Sequence, residues 1–275
     1  MTTLRAVGGV IRQDLADARR SRLLQAVLGL YVLFVGLLFA GVGLTAGQTV
    51  LAAVRITVLL GFLFVPLVAL LAGYLAVAGE RESGTLRLLL GYGLERKTVV
   101  LGKYLSRVGL VSAGLVAAFV VAGAVAVVPG LYPEPRLATV ATFGGLTVAF
   151  AAAYVAVAVA VSTVAESRRA ATTRTLVVYF VFTLFWSRAG PTTVPQLVGG
   201  VLDHLTGSPP SGWVWNVFLA ASPAEAYFQA LTLLPGDALV SGTALRPITL
   251  VGILLAWIVL PTALAALQFE RVDVD

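Results

Sequence analysis

Residues Glu80 to Lys103 read ERESGTLRLLLGYGLERKTVVLGK, and the chain on either side of them is apolar and uncharged. Ile56 to Gly79 carries no Asp, Glu, Lys or Arg, and neither does Val108 to Pro133. A helix rises about 1.5 Å per residue, so roughly 20 apolar residues cross the hydrocarbon core of a bilayer. The quoted stretch is therefore a polar loop joining two membrane spans. Its first half has a pattern of its own. Ser83 and Thr85 are expected to cap a helical turn or two through Leu86, Leu88, Leu89 and Leu90, ended by Gly91. Glu80 and Glu82 near its start suit the positive end of a helix dipole. Membrane crossing does not explain these leucines. A short capped helix with an apolar face either presses into a groove on a partner or packs on lipid and the chain's own loops.

Working outward, three more runs are free of charge: Leu23–Val54, Leu137–Ala165 and Pro247–Phe269. The first is longer than one helix needs, and Gly41, Gly43 and Gly47 predict that it leaves the membrane near Leu44. Thr175–Ser187 is charge-free for only 13 residues. It becomes long enough to span if Ala170–Arg174 joins it and Arg174 snorkels back to the surface. With 59% hydrophobic and 12% charged residues, the chain cannot be an ordinary soluble domain. The expectation is an all-α integral membrane protein, one domain over residues 1–275, with six transmembrane helices. These fall near 23–44, 56–78, 108–128, 137–164, 170–187 and 249–269, with a loop at 79–107 and an outer segment at 188–248.

Charge sets the orientation. With both termini cytoplasmic, 15 of the 19 basic residues lie inside, on the N-terminal segment, the loops 79–107 and 165–174, and the C-terminus. Arg55, Arg136, Arg188 and Arg246 are left outside. Such asymmetry is what the positive-inside rule expects, and topology with anionic lipid headgroups accounts for the net charge of +6. A nucleic-acid partner would need a basic patch on a soluble fold, and the chain has no such fold.

Leu4, Val7, Ile11, Leu15 and Ala18 fall three or four apart, which predicts an amphipathic helix lying in the cytoplasmic interface, with Asp14 on another face. In the outer segment, Trp213 and Trp215 suit an interfacial aromatic belt. Leu205–Ala224 is uncharged for 20 residues, but Pro209, Pro210 and Gly212 break it. Interfacial or re-entrant helices near Val214–Ala221 and Ala224–Leu234 fit better than a seventh span.

Several chemistries find no support. GYGLERKT, from Gly91 to Thr98, nearly spells a phosphate-binding loop, but Arg96 stands where the glycine before the lysine belongs. No catalytic residue, bound cofactor or metal is expected in this chain. His204 is the lone histidine, beside Asp203 in an outer loop, and there is no cysteine. No ionisable residue falls at the middle of a confident span, which disfavours an ion-coupled transporter.

The quoted loop resembles the cytoplasmic loop of ABC transporter permeases of the type-2 exporter class. Glu82, Ser83, Gly84 and Thr85 match that family's E-x-G-T-like pattern, and Leu101, Gly102 and Lys103 its later L-G-K. Glu95 departs from it, since a small or hydroxyl residue often precedes the arginine found here as Arg96. The leader DLADARRSRLL (Asp14–Leu24) and the run SPAEAY (Ser222–Tyr227) resemble the nitrous-oxide-reductase maturation, or multicopper enzyme maturation, permease group and its haloarchaeal members. The resemblance implies a permease whose coupling helix, here Glu80, Glu82, Ser83, Gly84, Thr85, Leu86, Leu88, Leu89 and Leu90, seats on a separate ABC ATPase subunit that binds the ATP. It further implies a second permease copy, a lipid bilayer around both, and room for a periplasmic or extracellular accessory protein. Copper conduction is not implied, because the chain offers one methionine, one histidine and no thiolate. The alternative is a non-transporting membrane scaffold or sensor that anchors a cytoplasmic partner through the same loop.

Overall fold

The computed structural model describes residues 3–19, 21–91, 93–186, 193–234 and 245–270, and every regular element among them is a helix. The chain opens with α1 (Thr3–Arg19), α2 (Arg22–Gly43) and α3 (Val50–Gly73). Two short helices follow, α4 (Ala78–Glu82) and α5 (Thr85–Gly91), and then the long pair α6 (Arg96–Ala126) and α7 (Leu137–Val164). Helix α8 (Arg168–Tyr179) continues as a π-helical turn, Phe180–Phe185. Three shorter helices, α9 (Val194–Thr206), α10 (Gly212–Leu219) and α11 (Pro223–Ala230), precede the last, α12 (Pro247–Glu270). Five of these, α2, α3, α6, α7 and α12, are long and apolar enough to cross a membrane.

The bounds of α2, α7 and α12 lie close to those expected. Helix α3 starts at Val50 instead of Ile56, because the Thr49 hydroxyl accepts the Ala52 N–H at 3.3 Å and so caps the earlier start. A single Arg55 pointing outward does not interrupt it. Helix α6 differs most. It starts at Arg96, not Val108, and its 31 residues extend about 46 Å, well beyond a hydrocarbon core of roughly 30 Å. The second half of the polar loop is thus the first turns of a span.

Helix α7 forms the centre of the bundle. Its small residues Ala151–Ala153, Ala156 and Ala158 are buried, and α3, α6 and α12 pack around it. A methyl placed on Gly73 of α3 would lie 2.7 Å from the Ala158 Cβ, so that crossing depends on the glycine. Helix α2 packs on α3 and α6. Tyr154 of α7 and Thr183 of the π-helical turn share a hydrogen bond of 2.8 Å, which anchors α8 to the centre. Gly47 lies at φ +74° in the turn after α2, outside any helix contact, while Gly43 seats the ring of Tyr132.

Between π-turn and α12, residues 205–224 are not one helix. Helix α9 ends on Gly207, whose φ of +72° closes it, and α10 begins only at Gly212. Helices α10 and α11 fall where interfacial helices were expected, whereas α9 was not foreseen. Thr193 and Gln196 form a reciprocal capping box at its start.

Candidate coupling site

The residues of the quoted loop meet α1, α8 and α12 at one end of the bundle, called here the basic end. Helix α4 closes on Ser83, whose hydroxyl donates to the Glu80 carbonyl at 3.2 Å and sits 3.0 Å from Thr85 Oγ1. Gly84 then turns the chain at φ +77°, and α5 starts at Thr85. Ser83 therefore ends one helix instead of capping the next, and Thr85 is already inside α5. The reason is the backbone: the reversal between two short helices takes place at Gly84, in a conformation glycine adopts without strain.

Glu80 turns inward. Its carboxylate pairs with Lys103 of α6, and the same ammonium pairs with Asp14 of α1 at 2.9 Å. Asp14 also receives a hydrogen bond from Ser106 and one from Arg107 at 2.8 Å. The Lys103 and Asp14 side chains are only 5% and 3% exposed, so these charges are compensated by one another and not by water. Burial pushes the Asp14 carboxyl up, but the positive Lys103 and Arg107 and the bonds from Ser106 and Lys103 outweigh it and hold it below the ordinary carboxylate value. Gly102 makes the approach possible. A Cβ there would meet Val10 of α1 at 2.6 Å, so only glycine lets α1 lie against α6 one residue before Lys103. The buried face of α1 is consequently Val7, Val10 and Asp14. Asp14, expected away from the apolar stripe, lies on the packed side because a cation waits there.

Arg81, Glu82 and Arg96 of the loop are held too. Arg81 donates to the carbonyls of Ala165 and, at 2.9 Å, Thr163, at the end of α7. Ser162 accepts the N–H groups of Val77 and Ala78, each at 3.0 Å. Glu82 accepts the backbone N–H of Arg168 at the start of α8 at 3.0 Å. Arg96 donates to the Phe269 carbonyl of α12 at 2.8 Å, and both Arg81 and Arg96 lie over the Phe269 ring, at 5.6 and 5.5 Å. Short helix α4 is thereby fastened to α6, α7, α8 and α12, and through Lys103 to α1.

The leucines of α5 do not act as one surface. Leu86 is fully buried in the core and Leu89 and Leu90 are half-buried, while Leu88 is 66% exposed, next to the exposed Arg87. A partner placed against α5 meets Leu88 and Arg87 first. Leu86 ties α5 to the core, and Glu80 and Arg81 of the preceding α4 tie that helix to its neighbours. Reasoning from sequence did not find Asp14, Ser106 or Arg107 as members of this cluster; the available signal was Lys103, a lysine close to the start of an uncharged run.

Comparison with known proteins gives the family. The family model described as ABC-2 family transporter protein matches residues 9–274. The chain belongs to the ABC-2 transporter family. It is 33% identical over 187 residues to a protein of Pseudomonas aeruginosa named probable ABC transporter permease protein NosY, an alignment covering 66% of this chain and 68% of that one. A protein of the same name from Stutzerimonas stutzeri is 38% identical over 112 residues, covering 39% of this chain and 40% of the other. The chain is thus a multi-pass membrane protein of the permease type, similar to the NosY group.

Proposed function

We propose that this chain is the membrane subunit of an ATP-driven transporter and that separate ATPase subunits dock on α5. The observation that carries this reading is the contrast within α5: Leu88 points outward while Leu86 beside it is locked in the core. A docking residue needs the first property and transmission of its movement needs the second. ATP hydrolysis then belongs to the partner, and binding of ATP shifts the spans between two arrangements. In this reading α8 with its π-helical turn, residues 168–185, is a sixth span, with Arg174 reaching the Val164 carbonyl at 3.0 Å at the membrane surface. The basic end and both termini are cytoplasmic, the whole of 1–275 is one permease domain of the cell membrane, and two copies enclose the pathway.

Leu88→Asp tests the docking. It should abolish co-purification of the ATPase, since truncating or charging a central contact costs about 2 kcal/mol or more, roughly thirtyfold in affinity. The permease itself should keep its thermal stability, because the side chain is exposed. Undiminished co-purification would place the docking surface elsewhere. The orientation has its own test: Ser83→Cys and Ser208→Cys, both at exposed positions, should react with an impermeant reagent from opposite sides of the membrane. Labelling from one side overturns the six-span arrangement.

A further inference from the structure

A cleft of about 160 Å³ opens at the basic end between the start of α2 and the end of α3, and Arg107 of α6 forms part of its lining. Its walls are Leu24, Val68 and Leu71, and its polar edge is Ser21, Tyr74 and Arg107. The guanidinium of Arg107 spends one nitrogen on Asp14, while its buried Nε has no partner among the described residues. A guanidinium presents donors along more than one edge, so it can hold a second anion without releasing the first. Leu23 and Leu71 beside the cleft are 69% and 43% exposed, and Arg22 next to Ser21 is exposed as well. A cation and hydroxyls along one edge, with aliphatic walls leading to exposed leucines, suit one class of molecule.

We propose that this cleft binds a single anionic glycerophospholipid of the cytoplasmic leaflet, its phosphate on Arg107 and the first part of an acyl chain between Leu24 and Leu71. This rests on the membrane orientation given above, but not on the ATPase. A soluble phosphate would satisfy the arginine and leave the aliphatic walls without purpose. Because Arg107 also holds Asp14, the bound lipid would brace the cluster that ties α1 to α6, making the lipid a structural member of the basic end.

Native mass spectrometry of the full chain, purified in an uncharged detergent without any ATPase, reads the site directly. Phosphatidylglycerol should bind at one molecule per chain, and more tightly than diacylglycerol, which lacks the phosphate. Arg107→Gln should weaken that binding about tenfold or more, as expected for loss of a charge-assisted contact. Val27→Trp fills the cleft from α2 without touching an ion pair and should weaken it likewise, which decides the matter if Arg107→Gln does not fold. Equal binding of diacylglycerol, or unchanged phosphatidylglycerol binding in the variants, overturns the proposal. So does displacement of phosphatidylglycerol by inorganic phosphate alone, which would mark a soluble-anion site. An intact lipid site in a protein that fails to bind ATPase would leave this inference standing and refute only the docking.

Discussion

The two ends of the bundle are held by different kinds of bond. At the basic end, Asp14, Glu80 and Lys103 come from α1, α4 and α6, are far apart in sequence, and join in one buried network. At the opposite end the described ion pair is Arg136–Glu134, two residues apart and exposed on both sides. Order there comes from helix caps at Thr193 and Ser222 and from single hydrogen bonds between elements, Tyr132 to the Phe39 carbonyl and Trp186 to the Leu219 carbonyl at 3.3 Å. A cap fixes a helix locally and a single bond joins two elements, whereas a buried multi-helix charge network leaves no member free to move alone. If an ATPase docks on α5 as proposed, the helices of the basic end would shift together, while those at the other end would be freer to shift separately.

The sharpest way to break this comparison is Lys103→Met. It leaves Glu80 without its described cation and removes one of the two cations on buried Asp14, which keeps Arg107 and Ser106, and should cost about 3–5 kcal/mol. The readouts are a lowered thermal midpoint in detergent and early proteolysis of α1. Glu80→Gln added to Lys103→Met should recover part of the loss, since Asp14 keeps Arg107 and no carboxylate of the cluster then lacks a cation. Arg136→Ala at the other end should stay within about 0.5 kcal/mol. Equal effects at both ends would erase the distinction.

Gly102→Ala sharpens the same contrast at smaller cost. The added methyl meets the Val10 side chain well inside contact distance, so α1 must move off α6, at about 1–3 kcal/mol. The pairing of Lys103 with Asp14 should loosen with it. Crosslinking efficiency between Val7→Cys and a cysteine placed on α6 at Leu101 should fall. A variant of unchanged stability and crosslinking would mean that α1 is not seated by this glycine.

Much of this architecture could be read from the chain. Uncharged runs of adequate length place α2, α7 and α12 well, because a charge is costly in hydrocarbon and its absence is a strong signal. The same criterion fails for α6, since it stops at Arg107 while the helix runs back to Arg96. Helices do not end at the membrane surface; only apolarity does. The site was legible in part. The short helix through Leu86 to Leu90 was expected, but not the separate α4 before it, and the roles of Ser83 and Thr85 depended on a backbone reversal at Gly84 that side-chain types do not reveal. Asp14 was misplaced because a period of three or four residues reports the lipid-facing and packed sides of a helix alike, and a buried acid is recognisable only once its cation is known. Helix α9 carried its signals openly in Thr193, Gln196 and Gly207, and was obscured by the prolines around it.

A modest effect at the helix cap Ser222 is the most discriminating. Ser222 is buried, and its hydroxyl accepts the Glu225 N–H at 3.0 Å to start α11. Ser222→Ala removes that acceptor and should cost about 1 kcal/mol, the usual value of an N-cap. Ser222→Thr keeps the acceptor and should cost less. The location of the response matters more than its size. Since α11 packs on α7 and α12 and takes no part in the charge network, faster amide exchange after Ser222→Ala should be confined to α11 and its immediate neighbours. Lys103→Met should instead speed exchange in α1, α4 and the first turns of α6 together. If the loss of one cap at Ser222 loosened α1 as well, the two ends would be a single cooperative unit, and the division between a concerted receiving end and an independently moving outer end would fail.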